Sequence, residues 1–381
     1  MELTTQQLAA QSAAGTIAHS HLGPLAPSLD HTEAFPTESL KALGRAGLLG
    51  VNIDERWGGL EAGVYAYVLA VRALAEHCAA TTVAMMVTNM VAEAIQSFGN
   101  DEQRERYLSA LRRGDWPALA FSLSEPDSGS DAASLKAIAR RDGGHYILNG
   151  VKSWVTSGGH AGVYLVMAST DPSKRSRGIS AFLVDPGLPG FTITRPEEKT
   201  GLRGSSTTQL VFEDCRIPAS ALLGEEGIGF KIAMSSLDGG RVGVSAQACG
   251  VAFAALRDTA LWLAAPERAD DPRQTVWRES FARHVAELEA AWSACEHAAR
   301  LKDKGLPLTR EAAISKLHCT ETANRVCAAM IDIVGVEACH SGMRLEQYLR
   351  DVRVTRIYEG TSEVQRIVIA REALKASMRK A

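Results

Sequence analysis

Apolar residues in the first third of the chain recur at three- and four-residue steps, as in Leu40, Leu43 and Gly47 and again in Tyr67, Leu69, Leu74 and Ala75. That is the spacing of one helix face. Phe35-Pro36-Thr37 precedes the run 38–47 with Thr37 as candidate N-cap, and Gly58-Gly59 closes the next segment. Between about Arg104 and Leu111 the helical pattern fades, and Phe121 begins a different texture. From 121 to 228 the period drops toward two. Short apolar runs at 145–148, 163–166, 179–184 and 209–212 are separated by Gly, Pro, Asp and Ser clusters, the pattern of strands and turns. Asn149-Gly150, between two such runs, predicts a hairpin because both residues tolerate positive φ. Past Gly229, helices rich in Ala, Leu and Glu are predicted over about 230–263, 274–303, 310–335 and 361–378. Ser362-x-x-Gln365 fits a capping box for the last of them, which puts Glu359 and Gly360 in the turn just before it.

The order is therefore α, then β, then α, with units expected at 1–120, 121–228 and 229–381 and no internal repeat. A length of 381 residues accommodates two to three such units. With 41 basic and 44 acidic residues and a net charge of -3, no global electrostatic case for nucleic acid or an anionic membrane survives. No apolar run is long enough to cross a bilayer, and Met1-Glu2-Leu3-Thr4-Thr5 lacks the basic and apolar regions of a signal peptide, so a cytoplasmic chain is expected. Seven scattered cysteines without a Cys-x-x-Cys pair read as reduced, mostly buried residues. His318-Cys319 lacks ligand spacing around it, and no metal site is expected.

Three segments could carry chemistry. Glu359 in Ile357-Tyr358-Glu359-Gly360-Thr361 is either an acid favoured by the positive end of the following helix or a general base made accessible by a turn in which Gly360 adds no side chain. Gly224-Glu225-Glu226-Gly227-Ile228-Gly229 departs from the dinucleotide fingerprint in glycine spacing and reads as a structural turn. Trp154-Val155-Thr156-Ser157-Gly158-Gly159 is either a strand end running into a turn or an indole and hydroxyl placed to wall a planar ring. The residues Met85, Met86, Met90 and Val91 read as core packing or as the boundary of an apolar pocket, which Glu93 either caps or leaves to pair elsewhere.

Taken in order, Phe121-x-Leu123-Ser124-Glu125-Pro126-x-Ser128-Gly129-Ser130-Asp131, Asn149-Gly150-x-Lys152-x-Trp154-Val155-Thr156, Leu237-Asp238-Gly239-Gly240-Arg241, and Arg350-Asp351-x-Arg353 running into Ile357 to Arg366 resemble the acyl-CoA dehydrogenase family. The opening block, with Phe35-Pro36, 47–50 and Trp57-Gly58-Gly59, looks like that family's first helices. The resemblance implies an α+β fold: an N-terminal helical domain, a central β-barrel-like or β-sandwich domain, and a C-terminal four-helix bundle. It also implies an FAD-dependent enzyme that takes a proton from Cα and a hydride from Cβ of an acyl thioester. By resemblance Glu359 is the base, and its backbone N–H helps to hold the thioester oxygen. Phe121, Leu123, Ser124 and Ser130 resemble residues along the flavin, Trp154 its ring wall and Thr156 the hydroxyl near N5. Ser130, Asp238 and Arg241 resemble contacts to pantetheine and CoA, while Gly360, Thr361 and Glu363 resemble positions beside substrate and flavin. Some members place the base immediately before the arginine matching Arg241; here that residue is Gly240.

The departures lie where members of the family reach a neighbouring subunit's FAD. The chain reads 264–272 as Ala-Ala-Pro-Glu-Arg-Ala-Asp-Asp-Pro, with Asp271 and Pro272 in an altered stretch and Arg268 remaining as the pyrophosphate contact. Glu279 falls at a Gln position, Asp332 opens an altered segment at 332–338, and Arg344 stands where a Pro is expected. Divergence, a different partner subunit or carrier-protein substrate, and a degenerate subunit without FAD are the competing explanations. The resemblance further implies a homodimer or homotetramer contacting through the C-terminal helices and an electron-transfer flavoprotein or oxygen as acceptor.

Overall fold

A computed structural model describes residues 3–340 and 342–378; Met1 and Glu2 of the opening segment lie outside them. The chain begins with helices α1 (Thr5–Ile17), α2 (Gly23–Thr32), α3 (Thr37–Arg45), α4 (Gly63–Ala75), α5 (Ala79–Phe98) and α6 (Asp101–Arg113). Two expectations fail here by small amounts of local chemistry. Pro36 occupies the N-cap position of α3 with no side-chain cap, so Thr37 is the first helical residue and not the cap. The stretch where the helical pattern faded is α6. Its heavily charged sequence hides the apolar face of Tyr107, Leu108 and Leu111, but Asn100 and Gln103 form a reciprocal capping box, and Gly114 ends the helix at φ 77°.

The central segment forms one mixed eight-stranded sheet from β1 (Ala118–Ser122), β2 (Ile138–Asp142), β3 (His145–Thr156), β4 (Ala161–Ser169), β5 (Ile179–Val184), β6 (Phe191–Ile193), β7 (Thr207–Pro218) and β8 (Leu222–Leu223). Strands run in the order β6-β7-β3-β2-β4-β5-β8, with β1 parallel to β4. The hairpin expected at Asn149-Gly150 does not form. Both residues lie inside the 12-residue β3, which pairs with β2 on one side and β7 on the other, so neighbours on both edges keep it extended. The glycine serves a bulge instead: at φ 143°, a Cβ there would meet Ala137 Cα at 2.7 Å.

The segment leading out of β1 is pinned by a buried ion pair. Lys152 Nζ lies 2.7 Å from Glu125 Oε1, with side chains 0% and 5% exposed. Glu125 also accepts from the backbone of Lys136 at 2.6 Å and Ala137 at 3.0 Å, and Lys152 donates to the Leu123 carbonyl. Removing one member strands the other charge in the interior. Lys152→Met is therefore expected to lower unfolding free energy by about 3–5 kcal/mol in denaturant titration.

The C-terminal helices are α7 (Gly229–Leu263), α8 (Gln274–Asp303), α9 (Thr309–Val334), α10 (Leu345–Arg353) and α11 (Ser362–Met378). The bounds of α7, α8, α9 and α11 fall within a residue or so of the expected ones, while the short α10 was not among the expected helices. Helices from both ends of the chain share a single hydrophobic core, in which Ala66 and Ala84 sit with Val244, Ala298 and Ala323, while the sheet encloses its own around Tyr146, Tyr164 and Phe182. Hydrogen bonds tie the two helical blocks: Gln247 Nε2 donates to the Ala79 carbonyl at 2.9 Å, and the Asp303 carboxylate accepts from the backbone N–H groups of Val64 and Tyr65. No helix among the described residues is long and apolar enough to cross a membrane.

The start of α11 is shifted by one residue from expectation. Thr361, not Ser362, caps it: Thr361 Oγ1 accepts from Val364 N at 3.3 Å. Ser362 instead donates to Glu321 Oε1 at 2.6 Å, and Gln365 Nε2 reaches back to the carbonyls of Gly360 and Glu359 at 2.9 and 3.3 Å.

Candidate active site

Glu359 sits in the turn between α10 and α11 with φ 57°, and Gly360 follows at φ 93°. Two consecutive left-handed residues reverse the chain sharply, which aims the Glu359 side chain inward while α11 departs along the surface. The approach to the turn is anchored upstream. Asp351 at the end of α10 is buried and accepts from the Leu202 backbone at 2.6 Å, while Arg350 pairs with Asp30 of α2 at 2.7 Å. These two members of the Arg350-Asp351-x-Arg353 motif act structurally, holding α10 to the loop before β7 and to the first helices.

The Glu359 carboxylate lies on α7 over Gly240. A Cβ at Gly240 would stand 2.7 Å from its Cδ and 2.8 Å from Oε1, so the position holds a side chain from another element in place of its own. Oε2 is sealed from solvent and has no hydrogen-bond partner among the described residues. Burial raises the carboxyl from the usual 4.5 to about 7, against the opposing pull of Arg241 and Lys316. A buried, unpaired carboxylate oxygen that titrates near neutrality is equipped to accept a proton from a bound molecule.

Around it the structure gathers some of the expected residues. Arg241 is buried and pairs with Asp238 at 2.6 Å, and Asp238 also accepts from Thr309 at 2.8 Å; the Arg241 Nε is buried without a partner among the described residues. Three neighbours escaped the sequence analysis. Lys316 on α9 is fully buried and donates to the Gly360 carbonyl at 2.7 Å. Tyr358 hydrogen-bonds the buried Gln247 of α7, and Tyr67 of α4, buried, has an ordinarily weak acidity weakened further by burial and by the charges of Glu93 and Glu359. The signal that would have found Lys316 is a lysine within the buried stripe Ala312, Ala313, Cys319, Thr320 and Ala323.

A second group lies on the sheet. Phe121 and Leu123 leave β1 toward the helical core, and the Ser124 carbonyl accepts from Ser153 N at 2.9 Å, joining that segment to the end of β3. There Trp154 holds φ 60° and is 66% exposed, followed by half-buried Thr156 and by Ser157 at φ 65°. The buried hydroxyls of Ser122, Ser153, Ser157 and Thr208 have no partner among the described residues. An exposed tryptophan fixed by a left-handed backbone, with unpaired hydroxyls behind it, fits a planar group with polar edges. Ser130 is exposed.

Other expected positions behave differently. Thr361 caps α11 and Glu363 is paired with Arg366 at 3.6 Å in its first turn. Arg268 stacks 4.2 Å over Trp262 and pairs with Glu337 at 2.6 Å and Glu267 at 2.9 Å, so its charge is already answered within the chain. Of the acids marked as departures, Asp271 is held near 2 by a two-pronged pair with Arg273, while Glu279 and Asp332 are exposed. Arg344, also a departure, donates to Gln347 at 2.9 Å. Met85, Met86 and Met90 are core residues, and Glu93 pairs with Lys302 at 2.6 Å and with Asn52. No cluster of three or more His, Cys, Asp or Glu converges as metal ligands among the described residues.

The architecture and the site agree with sequence comparison. Residues 4–115, 120–215 and 227–374 match the N-terminal, middle and C-terminal domains described for acyl-CoA dehydrogenase. The chain belongs to the acyl-CoA dehydrogenase family. It is 37% identical to the short-chain specific acyl-CoA dehydrogenase of Clostridium acetobutylicum over 97% of this chain and 98% of that one. Butyryl-CoA dehydrogenase from Megasphaera elsdenii superposes with a TM-score of 0.93 at 36% identity, covering 98% of this chain and 99% of that one. A chain from the structural study of the electron transferring flavoprotein of Acidaminococcus fermentans superposes with a TM-score of 0.94 at 36% identity, covering 98% and 99%. This acyl-CoA dehydrogenase thus carries its buried carboxylate on the later turn, with Gly240 at the alternative position.

Proposed function

We propose that the protein dehydrogenates a short-chain acyl-CoA between Cα and Cβ, with Glu359 removing the α-proton. The observation that carries this reading is the Glu359 carboxylate itself: desolvated, unpaired at Oε2, titrating near 7 and flanked by two cations. An α-proton of a thioester is weakly acidic, so a base freed from water and a donor on the thioester oxygen are both needed. The Glu359 backbone N–H is that donor in this reading. FAD is the cofactor, and when bound it supplies the acceptor for the hydride leaving Cβ. Trp154 and Thr156 would wall its ring system, and Phe121, Leu123 and Ser124 would run beside it. Ser130, Thr361 and Glu363 complete the proposed flavin set; Arg268 is left out because its guanidinium is engaged by two carboxylates. On the substrate side, Asp238, Arg241 and Gly360 are proposed to hold the pantetheine and thioester, together with Ser130.

The units 1–120, 121–228 and 229–381 remain the proposed domains, supported by the separate core of the sheet. The same reading includes self-association through the C-terminal helices. Ile367, Leu374 and Met378 lie on one face of α11 and are 66%, 66% and 79% exposed, an apolar stripe that a lone chain leaves in water. It also includes an electron-transfer flavoprotein as acceptor and a cytoplasmic setting, the latter supported by seven unpaired cysteines.

The test is spectroscopic. Purified protein is expected to be yellow, or to become so with added FAD, and to bleach under anaerobic addition of a short-chain acyl-CoA. A colourless protein that takes up no FAD would overturn the reading in favour of a binding subunit, and bleaching only by carrier-protein thioesters would replace the proposed substrate.

A further inference from the structure

The turn that carries Glu359 is held from beneath by two buried side chains on different helices. Gln365 Nε2 of α11 donates to the Gly360 carbonyl at 2.9 Å, and Lys316 Nζ of α9 donates to the same oxygen at 2.7 Å. One neutral amide donor would satisfy that carbonyl. A lysine is an expensive way to add a second donor, because burying an ammonium beside a neutral oxygen leaves most of its lost hydration uncompensated. The remaining compensation stands next to it in the Glu359 carboxylate, whose charge acts on Lys316 as Lys316 acts on it.

We propose that Lys316 is the positioning residue of the base: its hydrogen bond to Gly360 fixes the turn, and its charge balances the Glu359 carboxylate in the place it occupies over Gly240. The proposal rests on the reading of Glu359 as the base.

The surrounding charges favour Lys316 for this part. Arg241 of α7 also faces Glu359, but its guanidinium is shared with Asp238 at 2.6 Å. Lys316 donates to a neutral carbonyl, so its charge is not spent on another acid at hydrogen-bond distance. Tyr67 of α4, with Glu93 of α5 behind it, and Tyr358 of the turn itself face the carboxylate as neutral phenols, each made less acidic by burial. Glu321 on α9 and Glu363 on α11 act on Lys316 from further out, and Glu321 is itself engaged by Arg356 and Ser362. Burial brings Lys316 down to about 8, so it is mostly charged in the range where Glu359 loses its proton near 7. When Glu359 takes up a proton, the partner charge of Lys316 disappears, and the cation is then left with the carbonyl alone.

The experiment separates charge from hydrogen bonding. Lys316→Gln keeps a donor without the charge, and Lys316→Arg keeps the charge. The holoenzyme is reduced anaerobically by butyryl-CoA across pH 5.5 to 9, and the carboxyl of Glu359 is titrated by infrared difference spectroscopy against Glu359→Gln. Lys316→Gln is expected to move the acid limb and the infrared midpoint up by about one unit and to slow bleaching at pH 7 about fivefold. Lys316→Arg is expected to return both midpoints toward wild type, even where its larger head lowers the plateau. Midpoints in Lys316→Gln that match wild type would overturn the proposal. Bleaching by Glu359→Gln would overturn the reading of the base instead, and the infrared titration needs no turnover, so the two failures are distinguishable.

Discussion

Glu359→Gln is expected to keep the flavin and lose bleaching by acyl-CoA, with single-turnover reduction slowed by at least about 10³- to 10⁴-fold. The amide is nearly the same size as the carboxylate, so the turn, its two left-handed residues and the Lys316 contact have no steric reason to move. What it cannot do is accept the α-proton. Reduction at the wild-type rate would mean that another group is the base. The wild-type profile supplies an independent check, since only the ionised carboxylate works: reduction is expected to rise with pH through about 7. The same group affects stability with the opposite sign. Its folded value lies above the ordinary 4.5, so the folded state binds the extra proton between those values, and its contribution to stability is full below 4.5 and lost as pH rises through about 7.

Gly240→Ala is the second expected large effect, and it separates activity from folding. In the interior of α7 an alanine is favoured over glycine by up to about 1 kcal/mol, so thermal unfolding is expected to hold or improve. The new methyl, however, occupies space 2.7 Å from the Glu359 Cδ. The carboxylate is the free end of a flexible side chain and is the part that yields. A shift of about 1 Å in a reacting group is enough to slow reduction by about 100-fold. Reduction at the wild-type rate would show that the carboxylate works from somewhere other than its place over Gly240. Loss of folded protein would show that the helix, not the base, depends on this glycine.

How far the sequence reached depended on the range of the interactions involved. The long helices α7, α8, α9 and α11 were legible to within a residue or so because many successive positions repeat one period, and errors at single residues average out. Short-range signals failed where a distant partner outweighed them. Asn149-Gly150 has the chemistry of a turn, yet pairing to β2 and β7 on both sides keeps it in a strand. The capping box at Ser362 lost to Glu321, which takes the serine hydroxyl, leaving Thr361 to cap. Helix α6 was missed for the opposite reason: its charges obscured the period, while its capping box and the packing of Tyr107 and Leu108 decided it.

The sequence alone determined the order of the three parts, the family, and Glu359 as the one motif-supported candidate for the base, since Gly240 has no side chain to offer. Those are properties of residue identity and spacing, which the linear chain carries in full. Only the tertiary structure decided what makes that carboxylate reactive. Its altered acidity arises from burial between α7, α9 and the turn, its seat arises from the missing Cβ at Gly240, and its charge is balanced by Lys316, which is 43 positions away in the chain. Tertiary structure likewise drew Arg268 into a pair with Glu337 that no local pattern announces. Desolvation and through-space charge depend on which distant segments meet, and that is settled by packing the whole chain into its cores.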